Sequence, residues 1–322
     1  MNRLLSLLGC EYPIVEGGLA YVGNGTLAGA ISAAGGFGQV GSAGRTIEQL
    51  LVEIDEATKV ANGRPFGVNL PLSEHSDREE YVSAILDQAE RIKAVSLSAG
   101  NPRPYIERFK SKGIVVMTVV ASPAQAKKVE AAGADLVIAE GYEAGGHNGL
   151  QELTTMALIP QVVRAVSIPV VAAGGIASGE GIAAALALGA DGVQIGTRFV
   201  ATTECQAHGH YKEELITKTG EDTRVIERSL GRITRVLNSP FVEKILTLEQ
   251  NHPGWDVLAP YLRGESNRKA AIDGNVENGW LNCGQGVGLI DDVISVRELM
   301  ERLISEAKGA TQRLSSLFSG KE

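Results

Sequence analysis

Aromatic side chains are scarce in this chain, at 5% of 322 residues. That disfavours a surface built to stack nucleobases. Basic charge is short as well: 30 Lys and Arg stand against 38 Asp and Glu, for a net charge of −8. Such a balance argues against DNA, RNA or an anionic membrane as partner. Only three cysteines occur, Cys10, Cys205 and Cys283, far apart in the chain. They make neither a disulfide framework nor a zinc site, and they suggest a reducing cytoplasm. No apolar run approaches a membrane span free of polar and helix-breaking residues. The opening Leu7-Leu8-Gly9-Cys10 resembles the end of a lipoprotein signal. Its apolar part is too short for one, and Tyr12-Pro13-Ile14-Val15 follows at once as structure.

Several chemistries are missing too. There is no H-E-x-x-H, no G-x-S-x-G elbow and no G-x-x-x-x-G-K-[ST] loop. No lysine closes an apolar run, which disfavours a Schiff-base aldolase. His208 and His210 form an H-x-H pair without a third ligand nearby, so they read as surface residues and no metal site is expected.

What the chain has in excess is glycine, 39 residues. The glycines sit where short apolar runs end, not in repeats. Strands are predicted at 13–16, 37–40, 66–70, 94–98, 114–120, 136–139, 169–173 and 193–195. Between them lie helical patterns at 26–34, 47–60, 78–92, 105–112, 123–132 and 154–166, with 179–188 before the last strand. Eight buried strands with crossover helices in about 200 residues match a closed α/β barrel of the (β/α)8 TIM type, with an open doubly wound sheet as the alternative. Residues 204–264 are charged and helical in pattern, and they read as a helical extension after strand eight. The barrel is assigned to 1–203 and 283–322, and the extension covering its mouth to 204–282. The Gly- and Asn-rich stretch 270–288 is either a plain connection or a segment laid over the site. A long amphipathic helix is expected at 296–317.

The chain is organised around residues 139–149, where a strand opens into a loop holding four glycines and one imidazole, His147. In a barrel the active site lies at the C-terminal ends of the strands. Strand one delivers Gly17, Gly18, Leu19 and Ala20 there, strand three Asn69, and strand six Glu140, Gly145 and His147. Strand seven delivers Gly174 and Gly175, and strand eight Gln194, Ile195, Gly196 and Thr197. Glycines after strands seven and eight are the usual phosphate cradle of a barrel. One phosphate there suggests a phosphorylated metabolite or FMN. Of the carboxylates Glu140 and Glu143, the simpler reading makes one bind ligand and leaves the other solvated.

At these residues the chain resembles the nitronate monooxygenase (2-nitropropane dioxygenase) family, which includes FMN-dependent enoyl-acyl-carrier-protein reductases. The family's E-A-G-G-H stands at 143–147, F-G-V-N at 66–69, A-A-G-G-I at 172–176, Q-I-G-T-R-F at 194–199 and S-x-A-G-G-x-G at 32–38. The resemblance implies an FMN-containing barrel. It places Gly18, Leu19 and Ala20 along the isoalloxazine, with Asn69, Glu140 and Gly145 in contact with the flavin. Gly175, Gln194, Ile195, Gly196 and Thr197 would hold the phosphate end, and His147 would be the catalytic imidazole.

Monooxygenases of the family typically carry A-P-M where this chain has Gly17 to Ala20, and often Gln-Gly where it has Glu140-Gly141. The L-T-T-M-A-L-I-P-Q stretch at 153–161 leans toward the enoyl reductases. Glu204-Cys205 and the G-L-I-D-D at 288–292 lean back toward monooxygenase and quinone-reductase relatives. Oxidation of a nitronate by O2 is placed first. NAD(P)H-dependent reduction of an enoyl thioester comes next, with NAD(P)H as co-substrate. A flavin-binding protein without turnover and a flavin-free phosphate-metabolite isomerase follow. The partners expected are a small-molecule substrate, an acyl carrier protein for the enoyl reaction and a second copy in a homodimer. Arg103, Arg108, Lys110 and Lys112, or Arg263, Arg268 and Lys269, would supply basic patches for an acidic carrier.

Overall fold

The computed structural model describes residues 2–73 and 78–318. Its eight-stranded parallel sheet comprises β1 (Ile14–Glu16), β2 (Gln39–Gly41), β3 (Gly67–Pro71), β4 (Ala94–Ser98), β5 (Val115–Val120), β6 (Leu136–Glu140), β8 (Val170–Ala173) and β9 (Gly192–Ile195). A two-residue strand, β7 (Gly146–His147), stands outside it. The order is β1-β9-β8-β6-β5-β4-β3-β2. Strand β1 meets β2 through Phe37, whose N–H donates to Ile14 O and whose carbonyl accepts from Glu16 N, both at 2.9 Å. The sheet therefore rolls into a nearly closed (β/α)8 TIM barrel, and all eight strands lie where the apolar runs predicted them.

Above Phe37 the ladder between β1 and β2 gives way to side chains. Gln39 N donates to Glu16 Oε2 at 2.8 Å, and the Gln39 amide donates back to Glu16 O. These two residues stitch the barrel seam. Burial pushes the Glu16 carboxyl well above the usual carboxylate range.

Successive strand residues face opposite ways. Val15, Phe37, Ala94, Val115, Met117, Leu136, Ile138 and Val171 fill the lower barrel and pack on Leu4 and Leu8. Those two leucines belong to the helix Arg3–Leu8, which plugs the bottom. Ile14, Val40, Val68, Val95, Val116 and Val137 face outward into the larger core beneath the helices. Toward the C-terminal ends the inward positions turn polar, with Gln39, Asn69, Ser96, Glu140 and Gln194. An apolar plug below and a polar floor above give the barrel its two halves.

The outer helices start and stop on local chemistry. Thr46 and Gln49 form a capping box at Ile47–Ala61, which ends at Asn62 in the left-handed region. Ser122 caps Pro123–Ala131, and Ser178 caps Gly179–Ala187. The C-terminal helix Val296–Phe318 packs on Gly179–Ala187, and Glu306 Oε2 accepts from Gly179 N at 2.8 Å. No helix among the described residues is long and apolar enough to cross a membrane.

The region after β9 differs from its prediction. It contains helices Gly209–Thr217, Pro240–Glu249, Trp255–Leu262 and Gly264–Ala271. It also holds an antiparallel pair, β10 (Thr223–Ile226) and β11 (Thr234–Leu237), so it is a mixed insertion. The sequences T-R-V-I and T-R-V-L are β-branched and joined by a turn through Gly231, a hairpin signal masked by the charged residues around it. Strand β11 pairs in turn with β7, bringing Thr234 opposite His147 and Arg235 opposite Gly146. His208 caps the first helix of the insertion, its Nδ1 accepting from His210 N at 3.2 Å.

Candidate active site

A cavity of about 1260 Å³ opens at the C-terminal ends of the barrel strands. Gly18, Leu19 and Ala20 line it from the loop after β1, and Asn69 and Glu140 from the ends of β3 and β6. Gly145 and His147 line it from the loop after β6. Gly174 and Gly175 enter after β8, and Gln194, Gly196 and Thr197 at the end of β9. Ile195 does not join them. Its side chain is 0% exposed in the outer core, because the strand alternation that turns Gln194 inward turns Ile195 outward. Only its carbonyl works near the site, accepting from Gly17 N at 2.8 Å.

Three glycine positions show why a side chain is excluded. A Cβ on Gly18 would fall 2.2 Å from the Asn69 amide. Asn69 is itself fixed, its Nδ2 donating to Ser96 Oγ at 2.9 Å. Gly174 and Gly175 have φ of 99° and 72°, the left-handed region that glycine enters without strain. The N–H groups of Gly174, Gly175, Ile176, Gly196 and Thr197 find no acceptor among the described residues. All five residues line the cavity, from the two loops that follow the paired strands β8 and β9. This is the chemistry of an anion cradle.

Glu143 is not the solvated carboxylate predicted. Its oxygens accept from Thr155 N at 3.0 and 2.8 Å and from Thr155 Oγ1 at 3.0 Å, tying the loop to the start of helix Thr155–Ala165. Thr155 Oγ1 also reaches Gly174 O at 2.9 Å. Glu140 is different: no hydrogen bond or ion pair forms at its carboxyl group among the described residues. Burial alone pushes its pKa to about 8. That shift favours the protonated acid on the cavity floor at neutral pH, a form with an O–H to donate.

The loop after β6 is clamped from outside. Arg235 lies over the Tyr142 ring at 4.5 Å and donates from Nε to Tyr142 O at 3.1 Å. Arg228 bridges Tyr142 Oη and Glu152. The 282–286 segment is laid over the site, the second of its two predicted readings. Gly284 N donates to Thr197 Oγ1 at 3.0 Å and Gln285 N to Glu143 O at 2.8 Å. Asn282, Gly284 and Gly286 line the cavity there.

The sequence pass missed Glu227, Arg232, Trp255 and Trp280, all on the cavity wall. They come from the insertion, whose strand β11 pairs with β7. Of the predicted basic patches, Arg103 and Arg263 line the mouth, joined by Lys128 and Arg232. Arg108 pairs with Glu79, Lys110 with Asp135, and Arg268 with Glu265 and Asp273.

The model of the nitronate monooxygenase family matches residues 1–306. The chain belongs to the nitronate monooxygenase family. Among solved structures it is similar to FabK from Thermotoga maritima, with 42% identity over 99% of both chains and a TM-score of 0.93. It is also similar to nitroalkane oxidase from Streptomyces ansochromogenes, with 31% identity over 97% of this chain and 99% of that one and a TM-score of 0.84. A Rhodococcus jostii protein, (3aS,4S,5R,7aS)-5-hydroxy-7a-methyl-1-oxo-octahydro-1H-indene-4-carboxyl-CoA dehydrogenase, is 32% identical over 98% of each chain. Family members of these kinds are oxidoreductases, and so is this chain.

Proposed function

We propose that this oxidoreductase binds FMN and uses NAD(P)H to reduce the carbon–carbon double bond of an enoyl thioester. The observation that carries the substrate is the cavity: about 1260 Å³, with Arg103, Lys128, Arg232 and Arg263 at its mouth. A site for one drug-sized ligand occupies roughly 300–1,000 Å³. Space for a flavin, an acyl chain and part of an anionic carrier is therefore in hand, whereas a small nitronate would leave most of it unused. The 42% identity to FabK, an enoyl reductase, supports the same order. This reverses the ranking taken from sequence motifs.

The residues fit the cofactor. The five free N–H groups suit its phosphate, and the close-packed Gly18 beside Asn69 suits a flat ring. Glu140, Gly145, Leu19 and Ala20 supply the rest of that wall. Bound FMN supplies hydride transfer from reduced nicotinamide to an electron-poor carbon. This chain's share is to hold the thioester over the ring, exclude water beneath the 282–286 segment and deliver one proton. His147 is the donor we assign, to the carbon next to the thioester carbonyl. Hydride plus proton saturates the bond and leaves oxidised nicotinamide.

A second reading, oxidation of an alkyl nitronate by O2, is favoured by the 31% identity to nitroalkane oxidase across nearly the whole chain. One experiment separates the two. The purified protein is expected to be yellow, with one non-covalent FMN per chain. Mixed anaerobically with NADPH or NADH its flavin band should bleach, and crotonyl-coenzyme A should restore it. Failure of crotonyl-coenzyme A to restore it, with a nitronate bleaching the oxidised flavin anaerobically and O2 then restoring it, would move the assignment to the second reading. A colourless protein that takes up no FMN would overturn both.

A further inference from the structure

His147 stands half-exposed on a two-residue strand, and no residue on its own loop holds its ring. A carboxylate of the insertion faces it: Glu227 Oε2 lies 3.8 Å from His147 Nε2. Glu227 is 5% exposed and shares the cavity wall with His147. We infer that Glu227 is a positioning residue, holding the His147 imidazole toward the reacting carbon.

The geometry around Glu227 is built for one orientation. Its φ is 72°, a left-handed backbone uncommon for any residue but glycine. Glu249, at the end of helix Pro240–Glu249, holds that turn. Its Oε2 accepts from Glu227 N at 3.0 Å, and its Oε1 accepts from Ser229 N at 3.1 Å and Ser229 Oγ at 2.8 Å. The side chain is fixed at both oxygens. Oε1 faces Arg232 at 3.6 Å, and the Arg232 guanidinium lies over Trp255 at 5.2 Å. Oε2 accepts from the hydroxyl of Thr234, the residue paired with His147 across the β7–β11 ladder. Thr234, Glu227 and His147 thus form a hydroxyl–carboxylate–imidazole chain. An Arg232 pairing alone would need neither the inward Oε2 nor its hydroxyl donor.

A carboxylate on one ring nitrogen fixes the tautomer and plane of an imidazole, and the other nitrogen is left to work on substrate. The 3.8 Å gap lies just beyond hydrogen-bond reach, as such contacts often do before substrate closes them.

The inference rests on the reading of His147 as proton donor, and its test separates the two. Reduced enzyme is mixed anaerobically with crotonyl-coenzyme A, and flavin reoxidation is timed for wild type, His147→Ala, Glu227→Gln and the double variant. Glu227→Gln should slow reoxidation ~10-fold or more, less than the ~10²–10⁴-fold expected for the lost donor itself. Flavin reduction by NADPH and the half-saturating thioester concentration should stay within about twofold, since a positioning residue acts on the step, not the grip. The double variant should be no slower than His147→Ala, because Glu227 acts only through the ring. Wild-type reoxidation in Glu227→Gln beside a slowed His147→Ala would overturn the inference and spare the proton donor. A further loss in the double variant would also overturn it. A silent His147→Ala would remove both. Should Glu227→Gln not fold, Thr234→Val removes the hydroxyl that fixes Oε2; a slower reoxidation is expected, and an unchanged one refutes the chain.

Discussion

Glu140 offers a direct reading of the cavity floor. Its carboxyl has no partner among the described residues, and burial raises its pKa to about 8 in the folded protein. In the unfolded chain the ordinary value, 4.5, applies. Between those two values the native state holds a proton that the unfolded state has released, so stability falls as pH rises. Each unit is worth about 1.4 kcal/mol, which sets an upper bound of about 5 kcal/mol across the window. Water entering the open cavity reduces that figure, and about half is a fair expectation. Glu140→Gln replaces the acid by a neutral amide of the same shape. The assay is urea unfolding of ligand-stripped protein at pH 5, 6, 7, 8 and 9. Glu16 titrates in the same direction, so the measurement is the difference between the two proteins, not the wild-type slope. The variant should gain on wild type from pH 5 upward, with the gain levelling above pH 8 to 9. A difference that does not vary with pH would show that Glu140 is already ionised at neutral pH, and the O–H donor on the floor would be lost with it.

Two further substitutions test the anion cradle and its support. Gly175→Asp should abolish retention of FMN on gel filtration, since it sets a carboxylate among the five free donors. It should also lower stability by about 1–3 kcal/mol, because φ is 72° and a Cβ would sit 3.1 Å from Glu143 Cβ; full flavin occupancy would place the cradle elsewhere. Thr155→Val removes the hydroxyl that joins Glu143 to Gly174 O, with an expected loss of about 1–3 kcal/mol in urea unfolding and weaker flavin retention. Unchanged values in both would show that the Glu143 contact to Thr155 N suffices alone.

The barrel was legible because its signals are local. A β-branched run such as Val115–Val120 followed by Ser122-Pro123 states a strand, a cap and a helix within nine residues. The glycine corners were legible for the same reason, since a left-handed turn constrains the residue that makes it. What escaped depends on pairing between distant segments. Glu227 and Arg232 carry no signature in a charged stretch, and their meaning appears only when Thr234 pairs with His147. The Ile195 assignment carried a motif over whole, whereas a strand sends only every second residue of it into the site. Glu143 lost its solvated reading to a contact with Thr155 that no spacing announces.

The barrel seam has a consequence for how the chain is made. Strand β1 takes most of its ladder from β9, and Asn2 bonds to Asp191 O, 189 residues away. At ~5–20 residues per second, roughly 10–40 s pass between the emergence of the first partner and the second. Throughout that interval β1 has only its short contact with Phe37 and the Glu16–Gln39 stitch. The plug leucines Leu4 and Leu8 have no finished floor to enter. The nascent chain therefore exposes the apolar Leu4–Leu8 face until residues 191–195 emerge, and a chaperone that shields that face would act on the barrel's slowest vulnerability.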